Sequence, residues 1–261
     1  MKKLLTIALA LILVAAVATA SAATLVIGAS STPHAEILEA AKDLLAAKDS
    51  TLDVIIFDDY VQPNLQLDAG DLDANYFQHI PYLEDFCAQN GTKLVSAGAV
   101  HYEPMGIYTN QAKAYTMDTI PDGAVIAVPN DPTNEARALA LLEAQGLIKL
   151  DVAAGQTATV LDITENPKNI EVQEFEAAYV PRVLADVDLA VINSNYALEA
   201  GVEVVGSAIA VEGTDITFPN IIAIREGDDR AELKTLVEVL QSEEMVNWIT
   251  STYGTAVCPT K

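Results

Sequence analysis

The chain has 261 residues, 51% of them hydrophobic, and a formal net charge of −23 at pH 7. This apolar content is ample for a packed core, and the length suits one large domain or two small ones. A surface this acidic repels phosphate backbones and anionic lipid heads, so we expect no nucleic-acid partner.

The first 22 residues have the layout of a secretory signal peptide. Lys2 and Lys3 form a short basic region, residues 4–17 are almost all apolar, and small residues stand at Ala20 and Ala22. The alternative is a membrane anchor, but the apolar run is short for crossing a bilayer. We therefore predict cleavage near Ala22, export, and a soluble mature chain of 239 residues.

The next segments alternate between short apolar runs and amphipathic patterns. Residues 24–28 predict a buried strand, residues 35–48 a helix and residues 52–57 a second strand. This βαβ order predicts a parallel sheet covered by helices. The rest of this half predicts helices over residues 61–68, ending near Gly70, and 75–89, and strands over residues 93–97 and 104–108.

A second α/β unit begins at residue 124. Residues 124–128 predict a strand, and a helix follows from about 133 to 145, with Asp131 as a good N-cap and Pro132 suited to its first turn. Two such units joined by crossover strands form a hinged clamp with a ligand between them. Further strands are predicted at 170–175, 189–192 and 220–225, and one long helix at 231–250.

Enzyme and metal motifs do not stand out. The sequence has no GxSxG, HExxH, P-loop or GxGxxG motif. His34, His79 and His101 lie far apart in the chain with no metal-ligand spacing. We therefore expect no catalytic centre, no metal site and no cofactor.

The two cysteines, Cys87 and Cys258, leave two possibilities open. An even count in an exported protein permits a disulfide, and both segments are expected in the first lobe. The alternative is two free thiols.

Arginine is scarce, and Arg137 stands out by its position early in the helix after Asp131-Pro132. A guanidinium fork and the backbone N–H groups of a helix start both suit a carboxylate. Asn134 lies three residues earlier on the same helical face. These groups could converge on one anion; the alternative is a solvated surface arginine.

Aromatic and polar side chains elsewhere could complete such a site. Tyr60, Phe77 and Tyr82 could line an apolar pocket or pack in a core, but burying His79 without partners would be costly, which favours a cleft wall. Asn193 and Asn220 stand at strand edges, where α/β sheets bind ligands, although each could be an ordinary loop residue.

Several of these segments carry a family resemblance. They are residues 58–64 (DDYVQPN), 70–79 (GDLDANYFQH), 128–137 (VPNDPTNEAR) and 190–193 (AVIN), and the likeness covers nearly all of the mature chain. In them the sequence resembles the methionine-binding lipoproteins of ABC importers, the NlpA/MetQ family. Long ordered strings such as 128–137 are far more specific than a single glycine pattern.

The resemblance implies an α/β fold of the two-lobed periplasmic-binding-protein type (type II-like), with the ligand in the interlobe cleft. The expected lobes are residues 23–106 plus 207–261, and residues 107–206. By matching position, Arg137 is implied to clamp the ligand carboxylate, Asn193 and Asn220 to contact the amino-acid head with Asn134 nearby, and Tyr60, Phe77, His79 and Tyr82 to surround the thioether.

The implied function is capture of L-methionine, or a close derivative, by a monomer that delivers it to an ABC permease. A methionine-containing dipeptide or another apolar amino acid is the alternative ligand, and an exported enzyme or adhesin on the same scaffold is a remote one. Family members usually carry a lipid-anchored cysteine at the cleavage site, whereas this region reads ASAA. We therefore expect a periplasmic or extracellular protein without a lipid anchor.

Overall fold

The structure is a computed structural model that describes residues 23–153, 156–202, 204, 206–213 and 218–260. The predicted signal peptide, residues 1–22, lies outside this range. The strands are β1 (Ala23–Ala29), β2 (Ser50–Ile56), β3 (Ala74–His79), β4 (Leu94–Tyr102), β5 (Gly106–Thr109), β6 (Val125–Pro129), β7 (Lys149–Leu150), β8 (Ile163–Glu165), β9 (Glu171–Phe175), β10 (Leu189–Ile192), β11 (Ala208–Val211), β12 (Asn220–Arg225) and β13 (Cys258–Pro259).

The helices cover both sheets. They are α1 (Glu36–Ala46), α2 (Gln62–Ala69), α3 (Ile80–Asn90), α4 (Pro132–Ala144), α5 (Val180–Val183), α6 (Ser194–Glu199), α7 (Ala231–Leu240) and α8 (Glu243–Tyr253), with single 3-10 turns at Met117–Thr119, Val160–Asp162 and Ala177–Tyr179. In the described part of the chain, no helix has the length and apolar character needed to cross a membrane.

Two main sheets organise the chain. The first has the order β13-β4-β12-β3-β1-β2, in which β1 runs parallel to β2 and β3 while β12 runs antiparallel to β3 and β4. The second has the order β11-β5-β10-β6-β9, and β7 and β8 form a small separate pair. Each main sheet therefore mixes parallel and antiparallel neighbours, as expected where the chain leaves one sheet and returns.

Each sheet has its own hydrophobic core. Ile37, Leu38, Ala41 and Leu45 of α1 are fully buried in the first core, which matches the apolar stripe of the predicted helix. In the second core, apolar side chains of α4 pack with those of β6 and β10. The α/β class with two lobes is therefore confirmed.

Two segments connect the sheets. The first is the stretch between β4 and β5, which contains Glu103, and the second lies between β11 and β12 and contains Glu212. The predicted division at residue 207 assigned β11 to the first lobe, whereas β11 pairs with β5 in the second sheet. Both crossovers thus place an acidic residue between the sheets.

Two helix predictions were wrong. Residues 75–79 belong to strand β3, which lies between β1 and β12 with all six residues buried, so no alternation of polar and apolar residues marked it as a strand. The predicted helix 231–250 is two helices, because Ser242 starts α8 as an N-cap that accepts a hydrogen bond from the Met245 N–H at 3.4 Å.

The possible disulfide is not formed, since Cys87 and Cys258 are both free. Cys87 lies in α3, where its Sγ approaches the Leu94 carbonyl at 3.7 Å. Cys258 lies in β13, and its Sγ approaches the Thr255 carbonyl at 3.6 Å. Both thiols are half-buried and engaged with carbonyl groups of their own neighbourhoods.

Candidate functional site

A cavity lies between the two sheets. Side chains of β3 and β12 in the first sheet, of α4 and α6, and of Glu103 in the first crossover are among those that line it. All eight predicted ligand contacts line this one cavity: Tyr60, Phe77, His79, Tyr82, Asn134, Arg137, Asn193 and Asn220. Four further lining residues were not selected as ligand contacts from the sequence: Gln78, Glu103, Ser194 and Asn195.

The start of α4 is built as the sequence predicts. The Asp131 carboxylate caps the helix by accepting from the Asn134 N–H at 2.9 Å, and Pro132 is the first helical residue. Arg137 follows one turn later and is 8% exposed. The helix therefore points its first turn and the Arg137 side chain at the cavity.

Arg137 is buried and is therefore not a solvated surface arginine, and protein groups occupy part of its guanidinium fork. Its Nε donates to Oε1 of Glu212 at 2.6 Å and its Nη2 to Oε2 at 2.5 Å. Nη2 also donates to the Glu103 carbonyl at 2.6 Å. One edge of the fork is therefore occupied by the protein. Of the three guanidinium nitrogens, Nη1 alone has no hydrogen-bond partner among the described residues.

Asn134 connects three parts of the site. Its Oδ1 accepts from His79 Nε2 at 3.3 Å and from Asn193 Nδ2 at 2.8 Å, while its Nδ2 donates to both Asp131 carboxylate oxygens at 3.0 Å. The amide is thus fully used by neighbouring side chains. Asn134 lines the cavity, and its predicted place near the ligand head stays a prediction.

His79 has two hydrogen-bonding tasks. Its Nδ1 accepts from the Tyr82 N–H at 3.2 Å and so caps α3, while Nε2 points to Asn134 in α4. Burial, followed by the positive charge of Arg137, lowers the pKa of His79 to about 3. The neutral ring therefore carries its proton on Nε2 and ties the first sheet to α4.

Aromatic rings form one wall of the cavity. The Tyr60 ring centroid lies 5.6 Å from that of Phe77, 5.8 Å from Tyr82 and 4.9 Å from Tyr196 of α6. The Tyr60 hydroxyl donates to Asn195 Oδ1 at 2.6 Å, and the Tyr82 hydroxyl donates to the Tyr60 carbonyl at 2.9 Å. This wall is therefore apolar towards the cavity and satisfied at its hydroxyl ends.

Two buried amide atoms beside the cavity have no hydrogen-bond partner in the part of the chain that the structure describes. Asn193 Oδ1, an acceptor, and Asn195 Nδ2, a donor, are buried without a hydrogen bond to any described residue. Buried polar groups in folded proteins are almost always paired, so such atoms require an explanation. Together with Arg137 Nη1 they offer both donors and an acceptor to a small zwitterion.

His34, His101 and Glu103 meet in the structure, which their spacing did not predict. Their potential metal-ligand atoms all lie within 4.8 Å of one another, and all three residues are buried. His101 Nε2 lies 2.7 Å from Glu103 Oε1, and His34 Nε2 lies 3.2 Å from Asn220 Oδ1. Here Asn220 contacts an imidazole as well as lining the cavity.

The residues that sequence reasoning missed gave uneven signals. Asn195 lies two residues after the predicted Asn193, past the same strand end, and could have been included on that ground. Glu103 lies in the first crossover, but in the sequence it resembled many other acidic residues. Glu212 meets Arg137 over a separation of 75 residues, for which no local pattern exists.

Known proteins resemble this chain over most of its length. The model of the NlpA lipoprotein family matches residues 25–261. The methionine-binding lipoprotein MetQ of Bacillus subtilis (strain 168) is 42% identical over 241 residues, which cover 90% of this chain and 87% of that protein.

Solved structures of similar proteins have the same fold as this chain. A putative lipoprotein from Ruminococcus gnavus is 51% identical, with a TM-score of 0.88 over 91% of this chain and 99% of that one. A nutrient binding protein from Burkholderia cenocepacia, solved bound to methionine, is 44% identical, with a TM-score of 0.86 over 91% of this chain and all of that one.

Proposed function

The chain belongs to the NlpA lipoprotein family, and we propose that it is an exported solute-binding protein that captures L-methionine or a close derivative. It delivers this ligand to an ABC permease. The proposal rests on Asn193 Oδ1 and Asn195 Nδ2, which lie beside the cavity and have no hydrogen-bond partner among the described residues. An amino acid brings the ammonium donor and the carboxylate acceptor that these atoms lack.

The remaining cavity wall suits the side chain of such a ligand. Tyr60, Phe77 and Tyr82 offer ring faces and edges, and thioether sulfur makes favourable contacts with aromatic rings. Arg137 Nη1 then serves the ligand carboxylate, while Asn193 and Asn220 serve the amino-acid head. His79 and Asn134 act by holding the two sides of the cavity in register.

The division into lobes follows the two sheets. The first lobe comprises β1 to β4 and the chain from β12 onward, and the second runs from β5 through β11. This moves the predicted boundary at residue 207 to the crossover that contains Glu212. Closure is supported by contacts between the lobes, such as the Tyr60 hydroxyl with Asn195.

Further properties belong to the same proposal. The protein works as a monomer and has no catalytic activity. It also binds no nucleic acid, because its net charge of −23 repels phosphate backbones. Relatives named lipoproteins support export. Their names do not support the predicted lack of a lipid anchor, which stays a prediction that the mass of the mature exported protein would test.

The test begins with the ligand that the protein carries. The chain is purified from its producing cells and unfolded, and the released small molecules are identified by mass spectrometry. Calorimetry on the emptied and refolded protein then compares L-methionine, D-methionine, glycyl-methionine and leucine. We expect methionine to be released and to bind most tightly, with a thermal stabilisation that grows with its concentration.

Two results would redirect the proposal. Tighter binding of glycyl-methionine or leucine would assign the site to a dipeptide or to another apolar amino acid. No binding or stabilisation by any of the four ligands would remove the amino-acid function altogether, and an enzyme or adhesin on this scaffold would become the better reading.

A further inference from the structure

Glu103 lies at the first crossover and is the one carboxylate, among the described residues, that lines the cavity. It is 6% exposed, and so is Glu212 at the second crossover. The two buried acids differ in their partners. Glu212 is neutralised by the bidentate contact with Arg137, whereas Glu103 gives Arg137 only its backbone carbonyl.

The side-chain partners of Glu103 are neutral N–H donors. The buried Tyr76 hydroxyl has His101 Nδ1 as its hydrogen-bond partner, which places the imidazole proton on Nε2, directed at Glu103 Oε1 at 2.7 Å. His34 Nε2 lies between two acceptors, Asn220 Oδ1 at 3.2 Å and Glu103 Oε1 at 3.5 Å, so it must also carry its proton. Both rings thus donate towards the carboxylate.

Neither ring supplies a positive charge. Burial lowers the pKa of His34 to about 4 and that of His101 to about 3, so both are neutral near pH 7. Burial also raises the pKa of the Glu103 carboxyl, because the anion loses its hydration. The positive charge of Arg137 acts against this shift, but Arg137 forms its ion pair with Glu212. Among the described residues no Lys or Arg forms an ion pair with Glu103, and a buried carboxylate without one costs free energy until a cation arrives.

We propose that Glu103 is the anionic partner of the ligand's ammonium group, and that it makes the site select ligands with a free amine. This inference rests on the proposed function. Asn193 Oδ1, the unpaired acceptor of the same cavity, takes another ammonium N–H. The ligand's two charges are then met separately, the carboxylate at Arg137 and the ammonium at Glu103, each held in place by hydrogen bonds within the protein.

The test uses a pair of ligands that differ only in the charged amine. Methionine is compared with its 2-hydroxy analogue, 2-hydroxy-4-(methylthio)butanoate, by calorimetry at pH 7. We expect the wild-type protein to prefer methionine by about 100-fold or more, because losing one partner of a buried charge pair has costs of that size. In Glu103→Gln, methionine binding should weaken by about the same factor while the hydroxy analogue changes less than about threefold.

Glu135→Gln is the matched control. Glu135 is 5% exposed, lies in α4 away from the cavity lining and accepts from the Val160 N–H at 3.0 Å. It loses a buried carboxylate in the same way, but it should keep the wild-type preference. Thermal unfolding of both variants separates loss of fold from loss of preference.

The outcomes are distinct. Equal affinities of the wild-type protein for methionine and its hydroxy analogue would overturn the role of Glu103 and leave the methionine function standing, even if Glu103→Gln did not fold. An unchanged preference in folded Glu103→Gln would overturn it too. A wild-type protein that binds neither ligand would overturn the proposed function, and this inference with it.

Discussion

Arg137 and Glu212 form a bidentate ion pair between α4 and the second crossover, with Nε–Oε1 at 2.6 Å and Nη2–Oε2 at 2.5 Å. Both residues are nearly excluded from solvent. Glu212 also accepts from the Met105 N–H at 2.6 Å. The pair therefore links α4 to both crossovers and holds the guanidinium plane in place.

This geometry gives Arg137→Ala two effects. Ligand binding should become undetectable by calorimetry, because the ligand carboxylate would lose its cationic partner. Stability should fall as well, by about 3 to 5 kcal/mol in urea unfolding, because Glu212 would be left as a buried, unpaired charge.

A double variant separates the two effects. Arg137→Ala combined with Glu212→Ala removes the stranded carboxylate, so it should recover a large part of the lost stability without recovering binding. Glu212→Ala alone should keep weakened binding, since Arg137 stays but is no longer held. If the double variant is as unstable as the sum of the single ones, the pair is not coupled as the geometry indicates.

We expect His79→Asn to keep more of the protein's stability than His79→Phe does. His79→Asn preserves a side-chain acceptor at the N-cap of α3 but is too short to reach Asn134, so the contact between the lobes is lost. We expect stability within about 1 kcal/mol of wild type and affinity reduced about tenfold, the size of one hydrogen bond. Urea unfolding and calorimetry measure the two quantities.

His79→Phe is the comparison variant for this prediction. It fills the space of the ring but loses the cap and the contact, so it should lower stability by about 1 kcal/mol more than His79→Asn does. Equal stability of the two variants would show that the Tyr82 N–H does not depend on the cap.

The sequence predicted the parts of the site that local chemistry determines. The start of α4 could be located because Asp131 and Pro132 mark a helix N-terminus within a few residues. Strand β3 was misassigned because both of its faces are buried, which removes the alternation that identifies a strand. The pairing of Arg137 with Glu212 depends on how the chain returns from the second sheet, which no local pattern encodes.

The cysteines give a prediction with a simple measurement. Both thiols are free and half-buried. When the protein is unfolded in the presence of an alkylating reagent and without a reductant, it should therefore accept two alkyl groups. Intact-mass spectrometry counts them. Labelling that requires a reductant would mean that Cys87 and Cys258 are bridged in the exported protein.

Stability should fall in mild acid because three buried imidazoles must become protonated when the chain unfolds. The pKa of His34 is lowered by burial to about 4, and those of His79 and His101 to about 3, from the ordinary value of 6.5. Between these values the unfolded chain binds more protons than the folded one, so the free energy of unfolding decreases as the pH falls below about 6.5. Each pKa unit corresponds to about 1.4 kcal/mol.

The Glu103 carboxyl has the opposite effect on the free energy of unfolding as the pH falls. Burial raises its pKa, so the folded chain takes up this proton more readily than the unfolded chain does. Burial also raises the pKa of the Asp131 and Glu135 carboxyls, which act in the same direction as Glu103. We expect the histidines to prevail between pH 7 and 5, because each imidazole regains its ordinary pKa of 6.5 when the chain unfolds, whereas the ordinary values of the three carboxyls are 4.5 or lower. Urea unfolding at pH 7, 6 and 5 measures the slope. His79→Asn should reduce that slope by the share of one imidazole, and an identical slope in variant and wild type would contradict the assignment of His79 as a buried neutral ring.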